Sequence, residues 1–250
     1  MRTFEDLIAE GASVPTEGWD FSWFAGRATE QRPSWGYARL VAARMATVTA
    51  ALDLQTGGGE VLAGVPKAPP LLVATESWQP NLALAAARLG LRGGRVVAAV
   101  DAALPFAGAA FDLVVSRHPV DTCWLEVARV LRPGGTFLSQ QIGAGTMREL
   151  AEAVTGVPHP PPRRQWHTHV ADRARAAGLT VTDLRYEELR AEFFDVAAVV
   201  HFLRKVVWTV PDFTVEKYRD GLASIDRTIR ADGSFVAYSR RFLIEARKAG

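Results

Sequence analysis

The sequence predicts an α/β fold built on a mostly parallel β-sheet, and three observations support that expectation. From Ala50 to Gly143 short apolar runs alternate with segments of helical character. The runs are rich in Val and Leu and show no clean polar alternation, as strands covered on both faces do. Between the first run and the helix after it stand three consecutive glycines, Gly57, Gly58 and Gly59, within "ALDLQTGGGEVLA". Alternating strands and helices imply right-handed crossovers and helices on both faces of the sheet.

Taken in order, the first ~45 residues read as helices joined by a loop. Thr3 followed by Glu5 and Asp6 suits an N-cap with acids in the first turn, where the helix dipole favours them. A loop dense in Trp and Phe leads to a second helix, from about Gly36 to Thr49. "AALDL" is the first core strand, "EVLAGV" a brief helix and "PPLLVATES" the second strand. "PNLALAAARLG" is a helix with a glycine stop, "GRVVAAVD" the third strand and "FDLVVSRH" the fourth. "WLEVARVLRPGG" is a helix ended by Pro133 and two glycines, and "TFLSQQIG" is the fifth strand. "VPHPPPRR" is an extended connection. A helix, "WHTHVADRARAAG", and a sixth strand, "LTVTDLRYEEL", follow it. A long helical stretch begins at Phe193, and "SFVAYSRRFLIEARK" is the last strand. No internal repeat or interdomain linker is visible. The expected organisation is one domain over 1–250. It comprises an N-terminal helical cap (1–48), a ligand-binding core (49–190), a helical lid insertion (191–232) and the last strand (233–250).

Composition narrows the function. At 250 residues the chain can bury a core without covalent staples. A net charge of +2 gives no strong field toward nucleic acid or anionic membrane. The single cysteine, Cys123, excludes an internal disulfide and suits a cytosolic protein. The acidic, early-broken N-terminus is not a secretory signal, and no apolar run reaches ~18 residues. The expectation is a soluble cytoplasmic protein. His159, His167 and His169 have no Cys or acid at ligand spacing, so no metal site is expected.

A glycine-rich turn lets a ligand approach the backbone, and three ligand classes use one. A phosphate-binding P-loop needs Lys-Ser or Lys-Thr after its glycines, and none follows here. The dinucleotide fingerprint needs a third small residue where Leu62 stands. The third class binds the nucleoside cofactor S-adenosylmethionine. Asp53, then Gly57 and Gly59, resemble the acid and alternate glycines of the class I methyltransferases that depend on it, with Gln55 in place of the first glycine. Glu76 ends the second strand and Asp101 opens "DAALPFAGAAFDLVVSRH"; with "EVARVLRPGG" these resemble the small-molecule type of that family. More narrowly, "GWDFSW", "RPSWGY", "TGGGE" and "FLRKVVWTVPDF" are similar to bacterial members of unassigned substrate.

The resemblance implies a Rossmann-like seven-stranded sheet of order 3-2-1-4-5-7-6, with N-terminal helices and a helical insertion before the last strand. It implies S-adenosyl-L-methionine as cofactor. Its expected contacts are Asp53, Gln55, Thr56, Gly57, Gly58, Gly59, Glu76, Ser77, Asp101, Ala102, Ser116 and Arg117. Within that set Glu76 would take the ribose hydroxyls, and Asp101 with the backbone at Ala102 the adenine. Gln55 either strains the loop and weakens binding, or fits beside the methionine portion and uses its amide there.

Methyl transfer from a sulfonium is mainly a matter of alignment and water exclusion, so no fixed catalytic constellation is required. His118, after the fourth strand, is the candidate general base. In this fold an insertion between the last two strands starts and ends at the ligand edge. Trp19, Trp23, Trp35, Tyr37, Phe194, His201 and Trp208 are therefore candidate acceptor-lining residues, although aromatics at helical spacing also build cores. The expected activity is methyl transfer to O, N or C of a small organic acceptor. The alternatives are an RNA-base methyltransferase and a cofactor-binding relative without turnover.

Overall fold

The computed structural model describes residues 2–18, 20–160 and 166–250, with the side chain of Trp166 left aside. Trp19, a candidate pocket residue, lies outside the described residues. In chain order the elements are α1 (Phe4–Ser13), β1 (Ala28–Glu30), α2 (Tyr37–Met45), β2 (Ala50–Leu54), α3 (Glu60–Ala63), β3 (Leu71–Glu76), α4 (Gln79–Gly90), β4 (Arg95–Ala98) and β5 (Phe111–Arg117). There follow α5 (Trp124–Val130), β6 (Leu131–Ile142), α6 (Arg148–Thr155), α7 (Trp166–Ala176), β7 (Leu179–Phe193), α8 (Val196–Lys205), α9 (Arg219–Asp232) and β8 (Phe235–Lys248). The strand order is β1-β7-β8-β6-β5-β2-β3-β4. Setting β1 aside, this is the expected seven-strand order read from its other edge.

The added edge strand β1 is a correction to the expected count of seven. It is only three residues long, too short for any periodicity, and exists because β7 runs on far enough to pair with it, Ala28 opposite Phe193 and Glu30 opposite Ala191. The fifth core strand also starts earlier than its sequence suggests. The "LRPGG" segment belongs to β6, whose register against β5 shifts between Phe111 and Leu113 to absorb the proline and the glycines. Residues 144–156 received no element from the sequence, yet Leu150, Ala151 and Val154 form the buried face of α6.

The chain divides into two compact units: 1–32, 144–164 and 188–240 in one, 33–143, 165–187 and 241–250 in the other. The second holds the parallel strands. β3, β2, β5 and β6 pair in parallel, β4 extends them in the same sense, and β8 closes against β6 antiparallel. Every residue of β2 is buried, because alternate side chains enter two different cores. Leu52, Leu54, Val114, Phe137 and Phe242 pack on one face. Ala51, Leu113, Val115, Leu138 and Leu243 pack on the other, against Trp35 and the α2 residues Tyr37, Val41 and Met45. That second face carries the side chains that matter below.

The first unit is mostly helical and has its own core, with Leu7, Phe24, Leu150, Phe193, Leu203, Leu222 and Ile225 among its members. Thr3 caps α1 reciprocally with Asp6, and Asp195 caps α8 by accepting from the Ala198 amide at 2.7 Å. Arg27 ties the unit together, donating to Glu10 at 2.8 Å and to Asp195 at 3.1 Å. α1 lies so close to α8 that a Cβ at Gly11 would collide with the Ala197 carbonyl. A carbonyl cannot move aside without disturbing its helix. Gly11→Ala should therefore lower the thermal midpoint by about 4–10 °C. Gly90→Ala, at a helical position with open space around it, should leave the midpoint unchanged or raised. Equal midpoints for the two variants would show that the α1–α8 contact does not limit stability.

Candidate active site

Three carboxylates meet at the carboxyl ends of adjacent strands in the second unit. Asp53 stands next to last in β2, Glu76 ends β3 and Asp101 follows β4. Asp53 and Glu76 are buried, and among the described residues none of the three forms an ion pair with Lys or Arg. Burial, opposed by a 2.7 Å hydrogen bond from the Thr56 hydroxyl and reinforced by the charges of Asp101 and Glu76, pushes Asp53 up to about 7. Asp101 is raised as well, by burial first; the Gln55 amide on it works in the opposite direction. Concentrating unneutralised negative charge here costs stability unless something cationic or strongly hydrogen-bonding completes the site.

Among the described residues Glu76 is held by backbone donors alone. Its carboxylate accepts from the amides of Gly57 at 2.9 Å, Ser77 at 2.8 Å and Trp78 at 2.9 Å. This joins the glycine turn directly to the end of β3. Gly57 and Gly59 sit at φ +62° and +78°, a backbone region that side-chain-bearing residues seldom adopt. The turn is closed by Thr56, whose amide donates to the Thr75 carbonyl at 2.9 Å.

Gln55 has a defined role in this arrangement. It takes the left-handed conformation itself, at φ +53°, so the backbone keeps the turn that a glycine would make easily. Its side-chain amide donates to Asp101 and, at 3.0 Å, to the Asp121 carbonyl, while its oxygen accepts from the Val120 amide at 2.8 Å. One side chain thus joins the ends of β2 and β4 to the loop after β5.

At the end of β5, Ser116 is buried and donates to the Leu54 carbonyl at 3.0 Å, which makes it a strut between strands; Arg117 and Ala102 are exposed. His118 is half-buried in a left-handed conformation, φ +56°, and its amide donates to the Gln140 carbonyl at 2.7 Å. Burial, helped by the positive charges of Arg241 and Arg117, pushes its ring down to about 3. The imidazole is therefore neutral at pH 7 and a poor proton acceptor, better suited to hydrogen bonding than to general base work.

The aromatic candidates divide. Trp35 and Tyr37 are buried in the core of the second unit, and the Tyr37 hydroxyl has no hydrogen-bond partner among the described residues. Burial and the charge of Asp53 raise that hydroxyl well above its ordinary value. In the first unit His201 is 1 % exposed, between Trp23 at 4.9 Å and Phe24 at 5.0 Å, while Phe194 and Trp208 lie at the surface. Gln140 was not among the residues selected from the sequence. Consecutive glutamines ending an apolar strand were the available signal, since buried amides require partners.

The donor set can be tested against a ligand. Unpaired carboxylates, a glycine turn and an orphaned buried hydroxyl suit a cationic, hydroxyl-rich nucleoside. A pyrophosphate would meet three like charges here. S-adenosylmethionine therefore fits these residues.

The two demands on position 55 can be separated by mutation. Gln55→Ala loses the bridge and keeps the strained φ, whereas Gln55→Gly loses the bridge and relieves the strain. The glycine variant should melt about 2–4 °C above the alanine variant. Coincident melting curves would mean that the backbone at this position carries no strain.

Residues 52–139 match a family model described as a methyltransferase domain. A malonyl-[acyl-carrier protein] O-methyltransferase from Marinomonas sp. (strain MWYL1) is 24% identical, with 78% of this chain and 79% of that protein covered. Protein YcgJ from Bacillus subtilis shares the fold at a TM-score of 0.60 and 15% identity, over 86% of this chain and 98% of the other. Geranyl diphosphate methyltransferase, solved in complex with S-adenosylmethionine, does so at 0.50 and 13%, over 85% and 84%. At these identities the solved structures attest the fold alone. Residues 52–139 thus carry a methyltransferase domain, and the fold and the order of acids around the glycine turn agree with the class I, S-adenosylmethionine-dependent type.

Proposed function

We propose that this chain binds S-adenosylmethionine over Gly57–Gly59 and transfers its methyl group to O, N or C of a small organic acceptor. The observation that supports this reading most strongly is the set of three carboxylates, none ion-paired among the described residues, at neighbouring strand ends beside a glycine turn. When bound, the cofactor supplies a methyl group already activated by a sulfonium charge. The protein's own share is to hold and align. Glu76 would accept from the ribose hydroxyls, Asp101 and the Ala102 backbone would take the adenine, and Asp53 would face the cationic portion. Thr56, Gly58, Ser77 and Ser116 shape that pocket, Gln55 braces it, and the Tyr37 hydroxyl offers one more polar contact. The relative that acts on malonyl-[acyl-carrier protein] supports an acceptor of small acyl type.

Calorimetry with S-adenosylmethionine and S-adenosylhomocysteine tests the reading. Both should bind, and Glu76→Ala should weaken each by about 10- to 100-fold through loss of charged hydrogen bonds. Unchanged affinity in that variant would remove Glu76 from the ribose site, and no heat from either ligand with the protein folded would overturn the reading.

Asp53 adds a pH signature. Its folded pKa, about 7, lies above the ordinary 3.8, so between those values the folded chain holds the proton more tightly than the unfolded chain. Its share of stability therefore falls as pH rises from about 4 to about 7 and is level beyond. A sulfonium favours the ionised carboxylate and expels the proton. Affinity for S-adenosylmethionine should rise several-fold between pH 6 and pH 8, more steeply than for S-adenosylhomocysteine, whose thioether sulfur carries no charge. Asp53→Asn should level the difference. Parallel profiles for the two ligands in the unmutated protein would contradict this placement of Asp53.

A further inference from the structure

The β5–β6–β8 end of the second unit holds a chain of hydrogen bonds whose direction can be read from chemistry. Trp35 donates its indole N–H to the Gln140 side-chain oxygen at 2.8 Å. An indole N–H can only donate, so the Gln140 oxygen is fixed and its amide nitrogen is the group turned toward His118. That nitrogen lies 2.9 Å from His118 Nε2. Because the amide nitrogen can only donate, Nε2 must carry the lone pair. The ring proton of the neutral imidazole therefore resides on Nδ1, which has no hydrogen-bond partner among the described residues.

The strand registers put cations beside this donor. Arg117 pairs with Gln140 across β5 and β6, and Arg241 pairs with Ile142 across β6 and β8. Paired residues share a face, and Gln140 and Ile142 share one by the period of two. Arg117, Gln140 and Arg241 therefore project from the α2-side face of the sheet, at the carboxyl edge of β5 and β6. It is the face on which Trp35 and Tyr37 pack. No described carboxylate pairs with Arg117. Across the same edge, Asp53 supplies negative charge at the end of β2. The edge is thus polarised, with acids at β2, β3 and β4 and bases at β5 and β8.

We propose that the methyl acceptor carries a carboxylate, which docks on Arg117 and Arg241 and accepts a hydrogen bond from His118 Nδ1–H, with Gln140 and Trp35 as positioning residues that hold this tautomer. Two guanidiniums and one N–H donor match the lone pairs of a carboxylate and offer nothing to an amine. The inference rests on the methyltransferase reading above, since it takes the neighbouring acids as the cofactor's side of the pocket.

The experiment uses the full chain, labelled with ¹⁵N and saturated with S-adenosylhomocysteine as judged by calorimetry. Long-range ¹H–¹⁵N spectra report the histidine ring nitrogens, and His118→Ala identifies the signals. His118 should be protonated at Nδ1 in the unmutated protein. Hexanoate should shift its Nδ1 signal saturably, and hexanamide and hexylamine should not do so at the same concentrations. Arg117→Gln should weaken hexanoate at least tenfold. Gln140→Glu replaces the donor by an acceptor and should move the proton to Nε2, abolishing the response. If that variant does not fold, the spectrum of the unmutated protein decides the tautomer by itself. A proton on Nε2 in the unmutated protein, or equal responses to hexanoate and hexanamide, would overturn the proposal. Binding of S-adenosylhomocysteine without any hexanoate response would overturn it alone. Failure of S-adenosylhomocysteine to bind would remove the methyltransferase reading and this inference with it.

Discussion

Three carboxylates at the carboxyl ends of adjacent strands, with no basic partner among the described residues, are the constraint around which the second unit is organised. Such a cluster resists folding, because each buried charge raises the cost of the next. The chain meets that cost locally, with backbone amides on Glu76, a hydroxyl on Asp53 and a glutamine on Asp101. These partners orient the acids without neutralising them. The charge therefore remains available to a ligand, and the glycine turn beside it admits the ligand's approach. Stability is given up at the point where binding can restore it.

Much of this arrangement was legible in the sequence. β2 emerged with the boundaries the apolar run indicated, and Glu76 ends β3 where the buried strand meets polar residues, whereas β4 stops at Ala98 and Asp101 stands three residues beyond it in a turn. The alternation of strand and helix was enough to order the core strands once a family pattern was joined to it. What stayed hidden depended on partners distant in sequence. β1 has no signal of its own and forms only because β7 reaches it. The sequence admits two roles for Gln55, since neither its φ nor the position of Val120 and Asp121 is encoded in the residues around it.

His118 illustrates the same limit from the chemical side. A histidine after a core strand suggests a proton acceptor, and sequence position supports nothing finer. Burial, two guanidiniums and a hydrogen bond from Gln140 together turn the ring into a neutral donor. Gln140 is 22 residues further on and Trp35 lies in the segment before α2. A methyl group already activated by its sulfonium asks for alignment more than for a base, so a fixed N–H donor suits the task. The edge then has two halves of opposite sign, acids at β2, β3 and β4 and bases at β5 and β8.

The most direct measurement is a crystal structure of the chain grown with S-adenosylhomocysteine. The account predicts adenosine density over Gly57 and Gly59, ribose hydroxyls on Glu76 and the base beside Asp101. Density for the nucleoside at any other place, with the carboxyl ends of β2, β3 and β4 filled only by solvent, would contradict it.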